Sequence, residues 1–125
     1  MFELQEIISS YTRANAINDG VLVDVSETAR EAGIKFPVAV TIAVWQEYIE
    51  PLENDRLKWG QDIQGRLWDS VWMLRLACQK TSGDVLFFTV RYRMRGKLRV
   101  IRLKALCHPG DNWEPVITVM KPDES

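Results

Sequence analysis

VLFFTVRYRMRGKLRVIRLKAL, residues 85–106, decides the fold, because its apolar residues recur at every second position. Leu86, Phe88, Val90, Tyr92 and Met94 fall on one face of a strand, and Arg91, Arg93 and Arg95 on the other. Gly96-Lys97 puts glycine at the first central position of a type II′ turn, which predicts a hairpin. With Arg95 and Leu98 closing that turn, Tyr92 stands against Ile101, Val90 against Leu103 and Phe88 against Ala105, so both strands share an apolar face. Pro109-Gly110-Asp111-Asn112 is a second turn signal, and Val116 to Met120 reads as a third strand stopped by Pro122. Residues 84–121 are therefore expected to form a β-meander.

Upstream the period changes from 2 to 3.6. Asp62 can cap a long helix through about Lys80, with Ile63, Leu67, Val71, Leu74 and Cys78 on one stripe and Trp68 and Trp72 on its shoulder. Leu4, Ile7, Ile8, Tyr11 and Ala14 predict a first helix, and Val21 to Val25, β-branched and short, a strand after the Asn18-Asp19-Gly20 turn. Ser26 is read as the N-cap of a short helix, Glu27 to Ala32, with Gly33 just past its end. Val38, Ile42, Trp45 and Ile49 lie at helical spacing between Pro37 and Pro51, which predicts a helix there despite the Val and Ile content. Glu53 to Gly60, polar and without period, reads as a loop.

The chain has 125 residues, is 46% hydrophobic and holds five Trp, enough for one domain with its own core. Cys78 and Cys107, outside any CxxC spacing, fit a reducing compartment better than a disulfide framework. The start, MFELQEIISS, has acids where an export signal has Lys or Arg, and the longest apolar run, Phe36 to Trp45, is half of the ~20 residues a membrane span needs. A cytoplasmic protein with no membrane partner is expected. The fold expectation is one α+β domain over 1–125, helical in its N-terminal two thirds. Its sheet is expected to have three to four strands, mainly antiparallel, with helices packed on one face.

Charge segregates along the chain. Residues 85–110 hold seven cations and no acid, whereas residues 1–84 hold eight cations against thirteen acids, so the net charge of −1 conceals a dipole. In the register above Arg91 faces Arg102, Arg93 and Lys104 lie on the same side, and Arg95 joins them at the turn. Such a face takes phosphates of RNA or DNA, or else is answered by the chain's own acids, Asp69, Glu47 or Glu50. An acidic pI of 5.8 argues against indiscriminate nucleic-acid affinity. Trp68, Trp72 and Arg75 form a second row, read either as core packing or as a stripe that binds a host or element protein.

Catalytic signatures are missing: no GxGxxG, Walker loop, GxSxG or HExxH. Cys107 and His108 alternate across a strand, which opposes direct pairing as nucleophile and base, and no set of metal ligands at suitable spacing accompanies them. No catalytic residue, metal or cofactor is expected. His108 is read as a structural residue at the turn end or, beside Arg91, Arg93 and Arg102, as the acid or base of a metal-free ribonuclease.

The stretches NDGVLVDVSETAREAGIKFPVAVTIAVW (18–45), GRLWDSVWMLRLA (65–77) and LKALCHPGDNWEPVITVMKPDES (103–125) resemble a family of uncharacterised proteins carried by plasmids, prophages and other mobile elements. The resemblance spans nearly the whole chain and implies a setting, an accessory gene on mobile DNA, but no activity or functional residue. The functional expectation is a small non-enzymatic accessory protein that acts by binding, with a nucleic-acid binder using hairpin 91–104 as the alternative and a metal-free ribonuclease-like enzyme as the second.

Overall fold

A computed structural model describes residues 11–124 and shows an α+β architecture built on one mixed five-stranded sheet. In chain order the elements are α1 (Arg13–Asn18), β1 (Leu22–Asp24), α2 (Ser26–Glu31), β2 (Val38–Thr41), α3 (Ile42–Val44, continued as a π-turn Trp45–Ile49), α4 (Glu53–Trp59), α5 (Ile63–Lys80), β3 (Val85–Met94), β4 (Lys97–Pro109) and β5 (Pro115–Met120). The spatial order is β1-β2-β5-β4-β3. The meander β3-β4-β5 is antiparallel as expected, and β1 extends the sheet, but through a strand the sequence reading placed inside a helix.

That strand is β2. It pairs antiparallel with β1 and parallel with β5, which makes the sheet mixed and five-stranded instead of three- to four-stranded and mainly antiparallel. Val38, Ala39 and Val40 are all buried, on both faces, and a fully covered strand loses the alternation by which strands are recognised. Thr41 then caps α3, its hydroxyl oxygen accepting from the Val44 amide, so only the second half of the expected helix is helical.

The segment expected as a loop, residues 53–60, is the helix α4. It has almost no apolar face, with Leu57 largely exposed. Its ends hold it: Glu53 and Asp55 in the first turn, Arg56 and Lys58 in the last, and Gly60 in the left-handed conformation that closes it. Helix α5 begins where Asp62 predicts, its carboxylate accepting from the Gly65 amide, and Leu67, Val71 and Leu74 are buried against the sheet. Ser26 starts α2 without capping it; its hydroxyl donates to Asp24 Oδ1 and accepts from the Val38 amide, stitching α2 to β2.

One face of the sheet carries the core: Val40, Phe88, Val90, Tyr92, Leu103, Ala105, Ile117 and Val119 pack against Ala29, Val44, Ile49 and the α5 stripe. On the other face Thr118, Val116 and Met120 of β5 are also buried. There α1 reaches β5, with Arg13 donating to the Thr118 hydroxyl and the Ile117 carbonyl, so helices lie on both faces rather than one. The first-helix expectation falls mostly on Leu4, Ile7 and Ile8, outside the described residues. Its remaining members, Tyr11 and Ala14, are exposed, because Thr12 starts a helix of different phase that buries Ala16.

Candidate nucleic-acid interface

The hairpin β3–β4 turns at Arg95-Gly96, not at Gly96-Lys97. Both turn residues have positive φ, 54° and 74°, as a type I′ turn requires, and Met94 faces Lys97. The ladder is consequently shifted by two residues: Val90 faces Ile101, Phe88 faces Leu103 and Leu86 faces Ala105. A shift of two preserves the faces, because side chains alternate with that period. The apolar face is therefore the expected one, but the cross-strand partners are not.

A carboxylate from elsewhere in the chain selects the turn. Asp55 of α4 is buried, with Oδ2 accepting from the Arg95 amide at 3.0 Å and Oδ1 from the Gly96 amide at 3.3 Å. Arg66 of α5 neutralises it at 3.4 Å and donates onward to the carbonyls of Tyr48 and Arg93. Helices α4 and α5 thereby hold the tip of the hairpin in place.

On the outward face the shift changes the charge pattern. Arg91 faces Val100, Arg102 faces Thr89, Arg93 faces Leu98 and Lys104 faces Phe87, so no two of these cations are directly opposed. Like charges directly opposite one another destabilise a sheet, and the observed register avoids that for Arg91 and Arg102, so the face needs no internal acid to be stable. None is supplied: among the described residues neither Arg91, Arg93, Arg95, Arg102 nor Lys104 makes an ion pair. Of the acids named as candidates, Glu47 pairs with Lys121 at 2.7 Å, whereas Glu50 and Asp69 make no ion pair among the described residues. Burial holds the Asp69 carboxyl above its ordinary value.

The five cations differ in freedom. Arg93 donates to the Gly96 carbonyl and lies over the Trp59 ring, and Lys104 donates to the Glu124 carbonyl. Arg91 and Arg95 project from β3 and the turn with no hydrogen bond from their side chains among the described residues. Arg102 lies over Phe87, its Cζ 4.1 Å from the ring centre. Phe87 itself is 45% exposed and Val100 62%, with Val85 and Leu98 also open. The face thus alternates guanidinium groups with uncovered apolar and aromatic surface. Phe87, Leu98 and Val100 escaped the sequence reading, which credited this face with its charges alone; the signal was the aromatic at an odd position of β3.

The second row is half open. Trp68 and Trp72 are each 39% exposed and stack with ring centres 6.0 Å apart, and Arg75 caps Trp72 at 5.2 Å. His108 lies under α1, its Nε2 2.8 Å from the Thr118 hydroxyl that also receives Arg13. It shares the outward face with Arg102 but stands six residues along β4, ~20 Å at the usual strand rise, so these two are not brought together. Asp111 accepts from the Arg13 and Ala14 amides, fastening the β4–β5 turn to α1. No group of three metal-ligating side chains occurs among the described residues, nor is any described helix long and apolar enough to cross a membrane.

An α+β sheet protein with helices on both faces and an open basic-aromatic wing on its β3–β4 hairpin is the class these features define. A family model described as a family of unknown function, DUF6573, matches residues 1–125, and the chain belongs to that family. No curated protein and no solved structure matches it.

Proposed function

We propose that this protein is a non-enzymatic binding protein, working in the cytoplasm as an accessory factor of a mobile element, whose β3–β4 wing takes single-stranded nucleic acid. The observation that carries the reading is Arg102 lying on exposed Phe87 within an array of cations that no described acid answers. Guanidinium forks match phosphate oxygens, and an aromatic ring on a flat sheet offers the stacking platform that unpaired bases use. A duplex keeps its bases stacked and gives Phe87 nothing to hold, which favours single strands. The mobile-element setting rests on the family resemblance of the sequence.

Fluorescence anisotropy with labelled single-stranded RNA, single-stranded DNA and duplex, titrated at rising salt, tests the proposal. Single strands should bind at ~50 mM salt and weaken steeply as salt rises. Arg91→Glu with Arg102→Glu should reduce affinity at least tenfold and flatten the salt dependence. Absence of binding at low salt, or binding indifferent to the double charge reversal, defeats it.

A further inference from the structure

A cavity of about 390 Å³ opens on the core side of the sheet, away from the basic wing. Its floor is Leu86, Ala105 and Ile117, its walls are the loop carrying Ile34 and Phe36 and the last turns of α5, and Cys78 and Cys107 are part of its lining. The size and the predominantly apolar lining are those of a small-molecule site, in which a few polar groups set orientation.

The polar group here is Arg75. Its guanidinium is held between the Trp72 ring at 5.2 Å and the backbone of Gly33. A Cβ at position 33 would stand 2.7 Å from Arg75 Nε, so glycine is what lets the side chain lie across the cavity mouth; the φ of +98° independently favours it. Nothing in this clasp accepts a hydrogen bond from the guanidinium, and no described acid pairs with Arg75. Lys35 adds a second cation to the rim and Asp84 one carboxylate, leaving the lining net positive. An oriented guanidinium that donates no hydrogen bond among the described residues, above an apolar pocket, is complementary to a molecule with one anionic end and a hydrocarbon body.

We propose that this cavity binds a small amphipathic anion, a monocarboxylate with an aliphatic or aromatic body, with its carboxylate on Arg75 and its body between Phe36 and the sheet. The site stands on the face opposite the nucleic-acid wing and does not depend on that reading.

The test uses the full chain, with 8-anilinonaphthalene-1-sulfonate as reporter and octanoate and octanol as competitors. The dye should bind once per chain and be displaced by both, octanoate the better. Arg75→Gln should weaken octanoate at least tenfold and leave octanol unchanged. In the unaltered protein, saturating octanoate should slow alkylation of Cys78 and Cys107 by iodoacetamide, a measurement that needs no substitution. Failure of octanoate to displace the dye, an unchanged octanoate-to-octanol ratio in Arg75→Gln, or alkylation at the same rate with and without octanoate would each overturn the proposal.

Discussion

Asp55 and Arg66 meet at 3.4 Å with both side chains only 3% exposed, and from that buried position the pair governs the turn of a hairpin some forty residues further on. Breaking one side of such a pair leaves an uncompensated buried charge. Arg66→Met should cost about 3–5 kcal/mol in urea unfolding, and Arg66→Met combined with Asp55→Asn should cost less than the sum of the two. In Asp55→Ala the amides of Arg95 and Gly96 should lose protection from hydrogen exchange, since that carboxylate is their acceptor.

Arg95 holds φ at +54°, a conformation that costs an ordinary L-residue and suits asparagine. Arg95→Asn creates the Asn-Gly pair that type I′ turns prefer and should raise stability by ~0.5–1 kcal/mol, measured by thermal or urea unfolding. A hairpin turning at Gly96-Lys97 would show no such gain. Gly96→Ala should destabilise, because its φ is +74° and a Cβ would come within 2.9 Å of the Trp59 ring.

Phe87 and the cations of the wing contribute separable effects to binding. Phe87→Ala should weaken single-stranded binding by ~1–3 kcal/mol while leaving the salt slope unaltered, because stacking releases no counterions. Arg91→Gln should do the converse, weakening affinity and flattening the slope.

Tyr92 is almost wholly buried and exchanges a hydrogen bond of 2.6 Å with Ser70. Burial raises its phenol above the ordinary range, the Ser70 hydrogen bond pulls it down, and Asp69 raises it again. A pKa higher in the folded than in the unfolded chain gives a contribution that is complete below the unfolded value, ~10, and is lost as pH rises beyond it. Tyr92→Phe should therefore flatten the alkaline loss of stability, followed by urea unfolding at stepwise pH. At neutral pH it should cost ~1–2 kcal/mol, for the Ser70 hydroxyl left without that partner.

What could be read from the sequence was whatever local periodicity dictates. The α5 stripe from Leu67 to Leu74, the Asp62 cap, the strands 85–94 and 116–120 and the apolar face of the hairpin are all set by neighbours in sequence, and they stand where expected. The misreadings share a cause in distant partners. Val38 to Val40 form a strand because β1 and β5 cover their backbone; α4, closed by its own end charges and Gly60, is docked by Asp55 on Arg66; the hairpin register follows Asp55 as well. For the candidate site, the sequence showed the cations of the wing on one side but not Phe87 and Val100 beside them. Nor could it show that Glu47 is engaged by Lys121, far from the arginines.

The middle of the sheet is filled by β5, the last strand in chain order, which aligns Val38 to Val40 with Ile117 to Val119. On a ribosome, the N-terminal ladder and the basic hairpin emerge first and have no shared hydrogen bonds until that strand is released. The nascent chain meanwhile carries two raw borders, β2 on one fragment and β4 on the other, each able to recruit a stray strand from another molecule. Assembly is thus a closing step, a keystone set between two finished pieces, and loss of β5 would leave fragments prone to aggregate rather than a smaller folded protein.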